Sequence, residues 1–170
     1  MAATTMAAAA FVVESIGIIA YWAMYFSMAP PFKMAWYSVY ENSFPIADMV
    51  VVLNCCMYLF HFYSKSSRAS KPLALVHGLV AVGGTLFLGC IDITFDVQNG
   101  MYQYMVNGTF PQKVNMAVEV GINIWCVLIP LWLMHFMARN MHLYTGSGAP
   151  QEQDTTTGPG IHRKRMYVML

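Results

Sequence analysis

Four long apolar stretches, separated by short polar connections, dominate the pattern of hydrophobic and polar positions. They cover residues 11–29, 46–63, 73–95 and 114–138. Each approaches the ~20 residues that an α-helix needs to cross about 30 Å of hydrocarbon. None shows the period-two alternation of a membrane β-strand, and a helix satisfies its own backbone hydrogen bonds in lipid. The pattern therefore predicts an all-α integral membrane protein, a bundle of four transmembrane helices.

Two further segments differ in composition from these stretches. Residues 34–40, in the first connection, are rich in tryptophan and tyrosine, which suit the headgroup region. We therefore expect this segment to lie along the membrane surface. Residues 145–170 are mostly polar and rich in Gly, Pro and Thr, and cannot bury a core. The chain is thus predicted to have a transmembrane domain over residues 1–144 and a disordered polar tail over residues 145–170.

The connections differ in charge. Lys65, Arg68 and Lys71 lie in the second connection without an acid, whereas the third carries Asp96 and no base. More basic residues follow the fourth stretch. By the positive-inside rule, this asymmetry predicts that both termini and the second connection face the cytoplasm or its equivalent. The third connection would then face outward, where Asn107 begins an N-glycosylation pattern.

The composition fits a membrane environment and argues against one class of partner. Hydrophobic residues make up 58% of the 170 residues and charged residues 10%, a charged fraction far below the roughly 25% of soluble domains. The formal net charge is only +1, and the sequence has no basic groove or RNA-binding motif. We therefore expect the lipid bilayer as a partner and do not expect nucleic acid.

Acidic residues gather near the outer ends of the apolar stretches. A charged aspartate at the centre of a membrane helix costs at least about 2.5 kcal/mol, so each acid needs an explanation. Asp48, Asp92, Asp96 and Glu119 come from three different stretches and reach one membrane level. Asn123 continues the helix face of Glu119. These five residues form the predicted ligand or ion site.

Two interpretations of this acidic cluster stay open. Carboxylates so close together cannot all remain ionised, so at least one would keep a proton or share a cation. Oxygen-rich clusters suit hard cations such as Ca²⁺. Alternatively, Asp48 favours the positive end of the second helix, and Asp96 shapes the turn that leaves the third. No cofactor other than such a cation is predicted, and the identity of a metal is left unknown.

Glu14 and His77 form a second polar group, which we place toward the cytoplasmic side. Glu14 lies within the first apolar stretch, and a histidine is a natural partner for a buried carboxylate. We therefore predict a hydrogen bond between Glu14 and His77. Together with the outer acids, this pair would also fit the two ends of a proton or ion path.

Four glycines, Gly78, Gly83, Gly84 and Gly89, lie in the third stretch. Small residues allow membrane helices to approach each other closely. Their spacing does not match the small-xxx-small dimer motif, so we expect tight packing within one bundle.

Two segments resemble uncharacterised small four-helix bacterial membrane proteins. They are residues 43–48, SFPIAD, and residues 88–102, LGCIDITFDVQNGMY, from the second and third stretches and the turn that follows. The resemblance implies a four-helix fold and marks these positions as typical of such proteins: Asp48, Asp92, Asp96, Asn99 and Gly100. It implies no activity.

Three functions are compatible with these features. Small size, short connections and aromatic belts favour a non-enzymatic accessory or assembly subunit, packed against other membrane subunits or a second copy of the chain. The acidic cluster favours a module that binds or conducts a cation, a proton or a small polar ligand. A membrane-embedded proton-transfer enzyme would need only two or three groups, such as Asp92 and Glu119. The sequence has no nucleophile elbow, paired-histidine metal motif, phosphate loop or dinucleotide fingerprint, so no catalytic residue is predicted and we favour the accessory subunit.

Overall fold

The computed structural model describes residues 2–27, 35–64 and 70–145. Within these ranges the chain is helical and contains no β-strand. The helices are α1 (Ala2–Ser27), α2 (Ala35–Glu41), α3 (Pro45–Tyr63), α4 (Ser70–Gln98), α5 (Tyr104–Asn107), α6 (Phe110–Arg139) and α7 (His142–Thr145). A 3-10 turn, Met101–Gln103, separates α4 from α5. The predicted all-helical class is confirmed.

Each of the four predicted stretches corresponds to one long helix. The described residues contain four helices long and apolar enough to cross a membrane. Three of them extend further than hydropathy predicts. Helix α1 begins at Ala2 because the alanine-rich run before residue 11 favours helix formation. With 29 and 30 residues, α4 and α6 exceed the about 30 Å of a hydrocarbon core at ~1.5 Å per residue.

Local signals in the sequence fix several helix ends. Pro45 lies in the first turn of α3. N–H groups there have no partner within the helix, so the N–H that proline lacks costs no hydrogen bond. Thr109 and Gln112 form a capping box at the start of α6, in which Thr109 N–H donates to Gln112 Oε1 at 2.9 Å. Gly100 has a φ of 64° and turns the chain after α4, in a region that glycine adopts at little cost.

The long helices pack in the order α1, α3, α4, α6, and α1 meets α6 over only a short stretch. Two buried clusters hold this arrangement together. The larger one includes Phe11 and Tyr58, whose ring centroids are 4.0 Å apart. The smaller one, Tyr37, Met101 and Met116, lies at the opposite end of the bundle, which we call the α2 end. The bundle is therefore well packed at both ends and open on one side.

Helix α2 packs one of its faces against the bundle. The position along the membrane surface that the composition of residues 34–40 predicts stays a prediction. It buries Tyr37 and Glu41, which are 1% and 4% exposed, while Trp36 and Val39 remain exposed. Tyr40 stacks on Phe95 of α4 with ring centroids 3.4 Å apart. Residues four apart share a helix face, so one side of α2 faces inward and covers the end of the bundle.

Three of the four glycines predicted to allow close packing do so. A Cβ atom at Gly89 would lie 2.7 Å from Cys126 Cβ, and one at Gly84 would lie 2.9 Å from Val51 Cγ2. A Cβ at Gly78 would meet Tyr58 at 2.9 Å. These distances are too short for any side chain, so neighbouring helices touch the backbone of α4 directly. Gly83 differs, because a Cβ there would meet nothing within 4 Å.

The predicted polar tail falls almost wholly outside the described residues. Thr145, its first residue, ends α7. Tyr144 of the same helix is buried, and its hydroxyl lies 3.1 Å from that of Tyr58. This contact fixes α7 against α3 and makes it part of the larger core. Residues 146–170 are not among those the structure describes.

Candidate binding cavity

A cavity of about 460 Å³ lies between the two buried clusters. Side chains from α1, α2, α3, α4 and α6 line it. Its volume falls within the ~300–1,000 Å³ typical of small-molecule sites in proteins. The cavity is therefore large enough for a small organic ligand and not only for a single ion.

Acidic side chains converge on this cavity. The sequence contains eight Asp and Glu residues, of which six lie in the described ranges. Five of these line the cavity: Glu14, Glu41, Asp48, Asp92 and Glu119. Among the described residues that line it there is no lysine, arginine or histidine. The cavity thus collects carboxyl groups from five helices without a basic side chain to balance them.

Two tryptophans donate hydrogen bonds to acids on neighbouring helices. Trp125 Nε1 of α6 donates to Glu14 Oε2 of α1 at 2.8 Å. Trp22 Nε1 of α1 donates to Asp48 Oδ2 of α3 at 2.7 Å. An indole N–H donates but cannot accept, so each of these carboxyl groups keeps an oxygen that the indole does not occupy. These bonds fix the orientation of Glu14 and Asp48.

Two tyrosines hold acids at the α2 end in the same way. Tyr21 Oη donates to Glu41 Oε2 at 2.8 Å, which joins α1 to α2. Tyr40 Oη donates to Asp92 Oδ1 at 3.2 Å, which joins α2 to α4. Four acids thus receive a hydrogen bond from an aromatic side chain of another helix. Three of these four aromatic residues, Tyr21, Trp22 and Trp125, also line the cavity.

Glu41, Asp92 and Glu119 approach one another most closely. One carboxyl oxygen of each lies within 4.8 Å of the others. We call these three residues the acid triad. Like charges at this distance repel strongly in a medium of low dielectric constant. Either a cation lies between the three carboxylates, or at least one of them keeps a proton.

Asp96 lies next to the cavity but does not line it. It is 1% exposed, and its Oδ2 accepts a hydrogen bond from Asn123 Nδ2 at 3.3 Å. Asn123 itself lines the cavity. The other oxygen, Oδ1, has no partner in hydrogen-bond geometry among the described residues. Asp96 therefore positions Asn123 and adds a sixth acid to the surroundings of the site.

Tyr102, in the 3-10 turn outside the long helices, responds to this charge. Partial burial raises the pKa of its hydroxyl, and the negative charges of Asp96, Asp92 and Glu119 raise it further. Tyr102 therefore lies close enough to these three acids to sense their charge.

The structure brings most of the predicted ligand residues together. Asp48, Asp92, Glu119 and Asn123 all line the cavity, although they come from three helices. Asp96 reaches the same site through Asn123. The depth of each acid along its stretch predicted that these acids lie at one membrane level. The packing of α3, α4 and α6 brings them to one cavity.

The predicted pairing of Glu14 with His77 is not formed. Glu14 binds Trp125, as described above. His77 Nδ1 instead lies 2.8 Å from Asn54 Oδ1 of α3, and its ring stacks on His61 with centroids 5.5 Å apart. The cause is the register of α1, which begins nine residues earlier than predicted and so places Glu14 near its middle. Glu14 belongs to the acidic cavity, while His77 belongs to a separate polar contact between α3 and α4.

Asn107 is the last residue of α5, and its side chain is exposed. It lies in the connection that begins at the α2 end, three residues before α6 begins. Glycosylation at this position stays a prediction.

Glu41 is the member of the site that the sequence analysis missed. It follows an aromatic segment that was expected at the membrane surface and lies outside all four apolar stretches. One signal could have found it, because Glu41 and Tyr37 are four residues apart and share a helix face. The aromatic donors Tyr21, Trp22, Tyr40 and Trp125 were not predicted either, since hydropathy does not identify a side chain's partner.

The chemistry that this arrangement offers is the binding of positive charge. Carboxyl groups attract a cation, and the rings of Tyr21, Trp22 and Trp125 on the cavity wall add faces that attract cations within about 6 Å. The oxygens of the acid triad are the ones that could hold a metal ion. Apolar side chains complete the lining, so the site has room for both a charged and an uncharged part of a ligand.

Comparison of the chain with protein-family models, with curated proteins and with solved structures gave no match.

Proposed function

We propose that this is a multi-pass membrane protein whose helical bundle binds a small cation in the acidic cavity. The observation that carries the proposal is the lining, which has five acids and, among the described residues, no base. Burying uncompensated negative charge is costly, and a bound cation offsets that cost. We thus favour the cation-binding module over the accessory subunit. The accessory role stays a prediction.

The distribution of apolar side chains supports insertion into a membrane. Large hydrophobic residues remain exposed along the outer faces of the helices, among them Ile16 on α1, Phe87 on α4 and Leu128 on α6, with 62%, 64% and 59% exposed. A surface of this kind is unstable in water and suited to lipid. The acids, by contrast, point toward the cavity, as expected for polar groups in a membrane bundle.

Both termini are expected on the cytoplasmic side, with the α2 end outside. Lys71 and Arg139 lie at the opposite end of the bundle from α2, and Lys65 and Arg68 lie outside the described residues. A small tag at either terminus, or inserted at residues 65–69, should be accessible only after the membrane is permeabilised. A terminus and the 65–69 segment found on opposite sides would contradict the proposed four-span topology.

The binding proposal predicts a cation-dependent rise in thermal stability. The purified protein should unfold at a higher temperature when an ammonium salt such as hexylammonium chloride is added. A ligand present at 100 times its Kd raises the free energy of unfolding by about 2.7 kcal/mol. Asp92→Asn and Glu119→Gln should each reduce this response. A matched control is Glu152→Gln, which neutralises an acid in the segment 146–170 and should respond as the unchanged protein does.

Two results would contradict the proposal. One is the absence of any stabilisation by organic ammonium ions, K⁺ or Ca²⁺ under conditions in which the protein is folded. The other is an undiminished response in Glu119→Gln, because a cation bound elsewhere would not sense the acid triad. The same preparation tests the accessory-subunit prediction, since a partner subunit would co-purify in a fixed ratio.

A further inference from the structure

The cavity opens between α1 and α6. Val13 on α1 and Val118 on α6 both line the cavity, yet each is 50% exposed on the surface of the bundle. Lining residues that are also exposed mark an opening. Because α1 packs mainly on α3 and meets α6 only briefly, no helix among the described residues fills this gap.

Glycines keep the gap wide. Gly17 of α1 and Gly121 of α6 line the cavity, and a Cβ atom at either position would meet nothing within 4 Å. The opposite wall differs, since Gly89 of α4 is in direct contact with Cys126 of α6. The absence of side chains at Gly17 and Gly121 therefore leaves open space, whereas at Gly89 it allows helices to touch.

The two ends of the bundle are closed by comparison. At the α2 end, Tyr37, Met101 and Met116 are each 1% exposed or less. Glu41 is anchored there by Tyr21, and the stacked rings of Tyr40 and Phe95 cover the end of α4. The larger core closes the other end. Every exposed lining residue belongs to α1 or α6. Among the described residues, the gap between these two helices is thus the opening of the cavity, and it faces the side where lipid would lie.

A hydrogen bond between two described residues crosses this gap. Trp125 Nε1 on α6 donates to Glu14 Oε2 on α1 at 2.8 Å, and both residues line the cavity. A contact of this kind holds the two helices together but can break and re-form more readily than a packed interface.

We infer that the ligand reaches the cavity sideways from the lipid phase, between α1 and α6, and that it is an amphipathic organic amine rather than an inorganic ion. Inorganic cations do not enter hydrocarbon, whereas an amine with an apolar body concentrates in the membrane with its charged group near the interface. Ile18, Leu88 and Ile122 supply apolar lining for such a body. This inference rests on the proposed cation binding and narrows its ligand class.

The test compares three glycine variants in lipid nanodiscs. Binding of 6-bromohexylammonium is followed in a stopped-flow instrument, since bromine quenches tryptophan and Trp22 and Trp125 line the cavity. Gly17→Leu and Gly121→Leu fill the gap and should slow association by about tenfold. Gly83→Leu is the control, because a Cβ at Gly83 also meets nothing within 4 Å but Gly83 does not line the cavity. Its association rate should equal that of the unchanged protein.

The outcomes separate this inference from the proposed function. Equal association rates in all three variants would overturn the lipid-side path while leaving cation binding intact. Stabilisation by Ca²⁺ or tetramethylammonium but not by the bromoalkylammonium probe would overturn the amine assignment alone. No binding of any cation would overturn the proposed function itself. If a leucine variant does not fold, Gly17→Ala and Gly121→Ala provide the same comparison with smaller side chains and a smaller, graded slowing.

Discussion

Asp92→Asn and Glu119→Gln are expected to change thermal stability by amounts that do not add. Each substitution removes one carboxyl group from the acid triad, whose oxygens lie within 4.8 Å of one another. Removing the first group relieves the repulsion that acts on the second. The double variant should therefore gain less free energy of unfolding than the two single variants gain together. Residues in contact show couplings of about 0.5–3 kcal/mol.

The measurement is a double-mutant cycle on unfolding in detergent, carried out at about pH 5 and at about pH 8. The coupling arises from ionised carboxylates, so it should be larger at the higher pH and shrink when the acids take up protons. A cycle between Asp92→Asn and Glu152→Gln serves as the control and should be additive at both pH values. Additivity of Asp92→Asn with Glu119→Gln at both pH values would mean that the triad does not act as one site.

Trp125→Phe is expected to lower the free energy of unfolding by about 1–3 kcal/mol, the cost of leaving a buried polar group without its partner. The substitution keeps an aromatic ring but removes the Nε1 donor that Glu14 accepts from at 2.8 Å. Glu14 is only 8% exposed, so losing the indole leaves a buried carboxyl oxygen without the donor that the fold provides. Thermal unfolding in the same detergent measures the loss.

Trp132→Phe provides the matched control for this prediction. Trp132 lies on the same helix, is 37% exposed against 38% for Trp125, and stacks on Phe136. Trp132→Phe should lower the free energy of unfolding clearly less than Trp125→Phe does. Adding Glu14→Gln to Trp125→Phe should restore part of the stability, because a neutral amide is less costly to bury than a carboxylate. Equal losses in the two tryptophan variants, without recovery by Glu14→Gln, would show that the hydrogen bond contributes nothing.

The helices could be predicted from sequence because hydropathy is a local property. A run of about 20 apolar residues identifies a membrane-length helix wherever its neighbours lie. The ends were harder, because helix formation continues into segments that are not strongly apolar, such as the alanines before residue 11. Because α1 begins earlier than predicted, Glu14 lies near the middle of the helix and not toward its cytoplasmic end.

The site could be predicted only as far as depth along each helix determines it. Depth placed Asp48, Asp92 and Glu119 at one level, and packing of three helices brought them to one cavity. Depth could not reveal Glu41, because the insertion of α2 depends on contacts that Tyr21 and Tyr40 make with other helices. The partners of each acid are tertiary contacts, and no pattern in the sequence distinguishes a tryptophan that binds an acid from one that faces lipid.

The contact between Gly89 and Cys126 has a mechanical consequence. Because Cys126 Cβ lies against the backbone of Gly89, α4 and α6 cannot approach each other further at this point. Helix α1 is held to α6 chiefly by one hydrogen bond and rests on α3 along its length. A ligand that passes between α1 and α6 would therefore widen an interface with few contacts and leave the α4–α6 contact in place.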